Sequence, residues 1–189
     1  MKICLLLLWL PCSLLAANPP TLKAQVGEPI LQELMGGCSL ACAFPWETFA
    51  TAPGKSPQPV WKLNDSDAST AWIGANPSVG EKLTFQFPKK LPKVMDGNTP
   101  FYGFDIADGY TKNDAIFAAY SRIRKAEIFY NGRALYYVEF ANTRHWQHVL
   151  FDDIMARQGD VFALQILEVY PGTKFPNVAI TQLVLQGAH

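Results

Sequence analysis

The chain has 189 residues, 49% of them hydrophobic, and its 16 basic and 16 acidic side chains cancel. Balanced charge excludes the broad electrostatic footprint by which proteins hold nucleic acid, so no polyanion is the expected partner. The size suits one domain with a full core, and 12 Phe, 7 Tyr and 5 Trp suffice both to fill it and to leave rings for a ligand.

The first stretch, MKICLLLLWLPCSLLAANPP, places Lys2 before an apolar run to Leu10, then Pro11 and the small residues Ala16 and Ala17. That order predicts a secretory signal peptide over residues 1–17, with an apolar run too short to span a bilayer, and hence a secreted or periplasmic protein. Lipid attachment at Cys12 is disfavoured because Pro11 stands where a lipoprotein signal has a small residue. No later segment approaches a membrane span. Residues 18–58 read as an irregular or partly helical lead-in, in which PILQELMGG suits a short helix and TAPGKSPQP a connector. Cys4 and Cys12 belong to the leader, which leaves Cys38 and Cys42 in GGCSLACAFPW. In an oxidising compartment two thiols this close are expected to pair locally, and C-x-x-x-C lacks the two-residue spacing of dithiol redox motifs.

After Val60 the pattern turns to strands. KLTFQFP alternates Leu83, Phe85 and Phe87 against Lys82, Thr84 and Gln86, the clearest half-buried strand in the chain. FYGFDIA, KAEIFYNG, RALYYVEFA, WQHVLF, VFALQILEVY and NVAITQLVLQ supply further strands. Asn131-Gly132 marks a hairpin turn, since both residues tolerate positive φ. TKNDAIFAAYSRIRKAE is the one segment with helical spacing, through Ile116, Ala119, Tyr120 and Ile123; the alternative is an irregular loop carrying a single turn. Pro171-Gly172 predicts a scaffold corner, with Gly172 in a backbone conformation that other residues resist and Lys174 either neutralising Glu168 or reaching a ligand. Short strands, frequent turns and no βαβ alternation predict an all-β sandwich over residues 59–188.

Two loops carry the chemistry. In VWKLNDSDASTAW, Asp65 and Asp67 admit two readings: oxygen ligands of a hard cation, making a structural calcium the one ion the sequence allows, or side chains bonded to their own backbone in Asx turns. Trp72 is then a plug beneath that loop or a stacking face. In GYTKNDAIFAAYSR, Tyr110, Lys112, Asn113 and Arg122 combine an aromatic face with polar donors, the mixture that receives a sugar's C–H face and hydroxyls. For Arg122 the alternative is fixing the loop through carbonyl contacts. His145 and His148, near Asp152 and Asp153, make a poor zinc site, because their spacing puts the rings on opposite faces of a regular strand. Neither G-x-S-x-G nor a P-loop occurs, and Asp105, Asp108, Glu139 and Glu168 are acids without a recognisable glycosidase pair.

LNDSDASTAW, GYTKNDAIFAAYSR, the Asn-Gly hairpin, Gln147 and EVYPGTKFPNVAITQL resemble the discoidin-like domain, of coagulation-factor type C ancestry, that bacterial NAD glycohydrolase toxins carry as a translocation module. The likeness runs from about Val60 to Gly187. It implies a galactose-binding-like jelly-roll sandwich that binds glycans or other surface ligands through loops at one end, without the toxins' separate NAD-hydrolysing domain. Matching positions are Asp65, Asp67, Thr70, Trp72, Tyr110, Lys112, Ser121, Arg122, Tyr170, Gly172 and Lys174. The sequence departs from the family pattern at Tyr120, where Asn is common, at Asn142 and Gln182, where acids are usual, and at Pro176-Asn177, in place of an acidic pair. The expectation is an exported, noncatalytic binding module for a carbohydrate or cell-surface ligand, with no cofactor. The rivals are a structural or protein-interaction domain contacting an envelope protein, and a glycan-acting hydrolase.

Overall fold

The computed structural model describes residues 18–30, 47–55, 58–87, 89 and 99–187. The leader over 1–17, Cys38 and Cys42, and all of PILQELMGG beyond Pro29 and Ile30 lie outside the described residues. The strands in chain order are β1 (Thr21–Lys23), β2 (Gln25–Pro29), β3 (Glu47–Thr51), β4 (Gln58–Pro59), β5 (Trp72–Ile73), β6 (Lys82–Gln86) and β7 (Thr99–Asp108). They continue as β8 (Tyr120–Tyr130), β9 (Arg133–Glu139), β10 (His145–Ala156), β11 (Val161–Tyr170) and β12 (Phe175–Gly187).

They form the expected jelly-roll-like sandwich. One sheet has the order β4-β3-β6-β11-β8-β9-β1 and the other β2-β10-β7-β12-β5. Neighbours within each sheet are antiparallel, apart from the parallel β1–β9 pair. At one end the sheets are joined where β12 pairs in parallel with β8, Phe175 opposite Tyr120 and Val178 opposite Ser121. Period-two burial explains the layers: Leu83 and Phe85 of β6 face inward, as do Phe162, Leu164 and Ile166 of β11. Between the sheets Phe101 has the rings of Phe87, Tyr130, Phe151 and Phe162 at centroid distances of 5.1 to 6.3 Å.

The segment with helical spacing divides in two. A helix, α1, covers only Asp114–Ala119; Asn113 Oδ1 caps it by accepting from Ile116 N at 2.9 Å, and Tyr120 ends it in extended backbone. The residues after it enter β8. Ile123, Ala126 and Ile128 all reach the core from that strand because the β8–β11 register shifts around Lys125 and Glu168. Such a bulge resets the alternation, so that Ile123 and Ala126, three residues apart, share the inner face. Asn131 (φ 49°) and Gly132 (φ 79°) form the expected hairpin turn. Beneath it Asp160 accepts from Tyr130 OH (2.5 Å) and Asn131 Nδ2 (2.8 Å), while burial, foremost, and the Asp160 carboxylate push the Tyr130 phenol up.

The described part of the lead-in closes one side of the sandwich. Residues 21–29 run along β9 and then β10, crossing from one sheet to the other at Ala24, whose N–H donates to Glu139 O. Gly27 sits against His148 so closely that a Cβ there would lie 2.1 Å from its Nε2. His145 Nδ1 lies 3.0 Å from Gly27 O, so both imidazoles meet the same residue of β2.

Candidate functional site

Three loops converge at the end of the sandwich where β8 and β12 run in parallel. The first follows a 3-10 turn, Lys62–Asn64. Its carboxylates bend back on their own chain: Asp65 accepts from Asp67 N (3.0 Å) and Thr70 Oγ1 (2.6 Å), and Asp67 accepts from Ser69 N (2.8 Å). Ser69 holds the Asp67 carboxyl below its usual range, through side-chain and backbone hydrogen bonds, and Lys112 of the second loop lowers it further. These are Asx turns, and two acids so engaged fall well short of the six to eight oxygens, roughly, that calcium takes. Among the described residues no group of three or more His, Cys, Asp or Glu could hold a metal ion.

The second loop leaves β7 through Asp108 and Gly109. Gly109 has φ 96°, and a Cβ on it would come within 2.5 Å of the Phe117 ring and 2.9 Å of Arg122 Cγ, so this turn admits only glycine. Tyr110 OH donates to Ser69 O at 2.9 Å and ties the second loop to the first. Arg144 braces the far side, with its guanidinium on Asp114 and on Thr111 O. Lys112 is exposed, whereas Asn113 serves as the cap of α1.

The third loop is the Pro171-Gly172 corner. Gly172 does not take the positive φ expected of it; its constraint is space, since a Cβ would lie 2.4 Å from Ala119 O and 2.5 Å from Tyr120 C. The corner is pinned by Gly172 N to Ser121 Oγ (3.0 Å), Thr173 N to Ala118 O (2.9 Å) and Lys174 N to Ala119 O (3.1 Å). Glu168 pairs with Arg124 at 3.6 Å rather than with Lys174, which is exposed beside Phe175.

Together the loops present a row of three rings, Tyr110 to Tyr120 at 5.8 Å and Tyr120 to Phe175 at 4.6 Å, ending on a Phe175 that is 43% exposed. Lys112 and Lys174 are exposed on the loops that carry Tyr110 and Phe175. Trp72, paired with Ile180, and Arg122 are buried, each 7% exposed. Arg122 Nε donates to Asn142 Oδ1 (3.0 Å), Nη1 donates to Phe117 O (3.0 Å) and Tyr120 O (2.6 Å), and the guanidinium rests 4.8 Å over the Phe117 ring. Burial lowers its pKa, opposed by Asp108. For this site the sequence marks Tyr120 only as a departure from the family pattern and does not mark Phe175, because what makes them neighbours is a pairing between distant strands.

Among the described residues the acids weighed for hydrolysis stand in separate settings. Asp105 lies on β7 bonded to His148 (2.6 Å) and Gln186 (2.6 Å), Asp108 is buried, and Glu168 belongs to the other sheet.

Over residues 51–186 the sequence matches the NAD glycohydrolase translocation F5/8 type C domain family. The chain belongs to that family. The F5/8 type C module also resembles solved structures from Clostridium perfringens ZmpB. One holds its CBM32-1 and CBM32-2 domains in complex with GalNAc, with TM-score 0.51, 13% identity, and coverage of 90% of this chain and 40% of that one. Another holds the CBM32-1, CBM32-2 and M60 catalytic domains, with TM-score 0.51, 11% identity, and coverage of 92% and 17%. A third, of the two CBM32 domains alone, has TM-score 0.50, 12% identity, and coverage of 90% and 42%. The chain thus spans well under half the length of each. Structures without the M60 domain match equally well, so the likeness is to the fold of the CBM32 part. No curated protein matches the sequence significantly. Among the described residues no helix is long and apolar enough to cross a membrane.

Three of the departures from the family pattern bear on this end of the F5/8 type C module. Tyr120 forms the middle of the ring row, Asn142 receives Arg122 as a neutral acceptor, and Asn177 Nδ2 donates to Gly74 O at 2.9 Å.

Proposed function

We propose that the protein is an exported, noncatalytic module that binds a carbohydrate or similar cell-surface ligand on the ring row at its loop end. The observation that carries this reading is the stepped series Tyr110, Tyr120 and Phe175, opening outward to solvent and flanked by Lys112 and Lys174. An aromatic face covers the C–H side of a sugar ring, and lysine ammonium groups and loop carbonyls meet its hydroxyls. In this proposal Tyr110, Lys112 and Lys174 touch the ligand, joined by Tyr120 and Phe175, while Trp72, Asn113 and Arg122 hold the loops in register.

Export is supported by the leader-like first residues, and a secreted or periplasmic place suits a surface ligand. GalNAc, present in one of the similar CBM32 structures, is the first probe. A glycan array followed by calorimetry tests the reading: Tyr110→Ala and Phe175→Ala are each expected to weaken binding at least about tenfold. Binding unchanged in both variants would remove the ring row from the site. A protein partner in the cell envelope is the second reading, favoured by Trp61, which is 70% exposed near the same loops. Cross-linking from position 61 in the native envelope, with no glycan bound by the array, is the result that would select it.

A further inference from the structure

Asp108 lies at the base of the proposed ligand face, two residues before Tyr110, and is 1% exposed. Its Oδ1 accepts from Ile123 N at 3.1 Å, which links β7 to β8, while its Oδ2 is buried without a hydrogen-bond partner. The residue next to Ile123 is Arg122, the clamp on Phe117 O and Tyr120 O. Among the described residues the guanidinium bonds to those carbonyls and to Asn142 rather than to Asp108. Gly109 leaves no room for a side chain between the acid and the clamp, because a Cβ on it would lie 2.5 Å from the Phe117 ring and 2.9 Å from Arg122 Cγ.

A neutral carboxyl is tolerated in this arrangement. A carboxylate is disfavoured, since it would be a buried charge supported by the Ile123 hydrogen bond and the weaker pull of Gly109 N–H, with Oδ2 facing the protein interior unpartnered. The cation that acts on it is Arg122 of β8; the other charged group bonded to this loop, Arg144 from the β9–β10 connection, is engaged with Asp114 of α1 and with Thr111 O. We propose that Asp108 is a pH-responsive positioning residue for the ring row: once charged, it draws the Arg122 guanidinium from the Phe117 and Tyr120 carbonyls, and the junction presenting Tyr110 and Tyr120 reseats. The inference rests on the ring row being the ligand face, as proposed above. It makes affinity fall as the solution becomes alkaline.

Burial pushes the Asp108 carboxyl up to about 8, against the pull of the Ile123 and Gly109 N–H groups and Arg122, so the change falls within reach of ordinary buffers. Carbon-detected NMR of the Asp108 carboxyl, with the ring signals of Tyr110 and Tyr120 and the Arg122 Nε, is followed from about pH 5 to about pH 9, a range in which a phenol ionising at about 10 stays about nine-tenths protonated. All four sets are expected to move with one midpoint near 8. In Asp108→Asn the ring signals should stay flat; in Arg122→Lys, which keeps the charge and loses the fork, the carboxyl transition should persist while the Tyr120 response disappears. Rings that stay fixed through the carboxyl transition, a carboxyl that titrates near its ordinary 3.8, or a ring response surviving in Asp108→Asn would each overturn the inference. Should Asp108→Asn fail to fold, the unaltered protein and Arg122→Lys still decide the matter.

The titration needs no ligand, which separates the two proposals. With a sugar that binds in the array, affinity is expected to fall several-fold between about pH 7 and about pH 9. Unchanged affinity overturns the gating and leaves the binding reading intact. No sugar bound at either pH, with the rings still following Asp108, sinks the binding reading and leaves the coupling in place.

Discussion

Two groups of aromatic rings in this molecule stand at similar distances from their neighbours, yet only one of them is sealed. Phe101 is fully buried among Phe87, Tyr130, Phe151 and Phe162, whereas Tyr110, Tyr120 and Phe175 begin against the scaffold and end in solvent. The sealed group lies between two sheets whose alternation points it inward. The open group lies where strands end and loops must satisfy their own polar groups. Ring spacing alone therefore does not tell a core from a platform; the layer above the rings does.

The comparison breaks most readily at the sealed end. Phe101→Ala is expected to lower unfolding free energy by about 3–5 kcal/mol in urea titration. A loss near that of a surface substitution would show that the sheets do not close on this ring. The next effect distinguishes the buried acid under the platform from acids at the surface. Because its folded-state value, about 8, lies above its ordinary 3.8, Asp108 binds its proton more tightly in the folded protein, so the stability it contributes is complete below the lower value and is lost as pH rises through the higher one. Urea midpoints should decline across that interval, and the decline should be shallower in Asp108→Asn.

A smaller change is expected in Asn113→Ala, which removes the cap of α1 and should cost about 1 kcal/mol of stability. If the cap also fixes the second loop, ligand affinity falls with it in calorimetry. Smallest for stability is Phe175→Ala, at about 1 kcal/mol or less, because the ring is half open and its main contact is Tyr120. A large loss of stability there would mean that Phe175 is part of the core rather than of the ligand face.

Much of the sealed region was legible in the sequence, since alternation such as Leu83, Phe85 and Phe87 is a local consequence of the strand's two faces. The Asn131-Gly132 turn was legible for the same reason: its chemistry is contained in two adjacent residues. The loop end was less so. Arg122 could be read as clamp or ligand contact until the carbonyls of Phe117 and Tyr120 were placed around it. Tyr120 and Phe175 become neighbours only through the β8–β12 pairing, and Gly172 is required by the backbone of a distant strand junction rather than by its own φ. The bulge near Lys125 is likewise a property of two strands, so the inward facing of both Ile123 and Ala126 is not written in one strand alone.

The seat of Gly27 against His148 has a consequence for how the first strands find their place. Backbone pairing by itself would let a short strap slide along β9 and β10 like an unkeyed zipper. Here a one-residue slip would drive the isopropyl of Val26 or the carboxylate chain of Glu28 into the imidazole, where not even a methyl group fits. A missing side chain thus acts as the tooth that indexes the strap, and any replacement of Gly27 should unfasten that flank of the sandwich first.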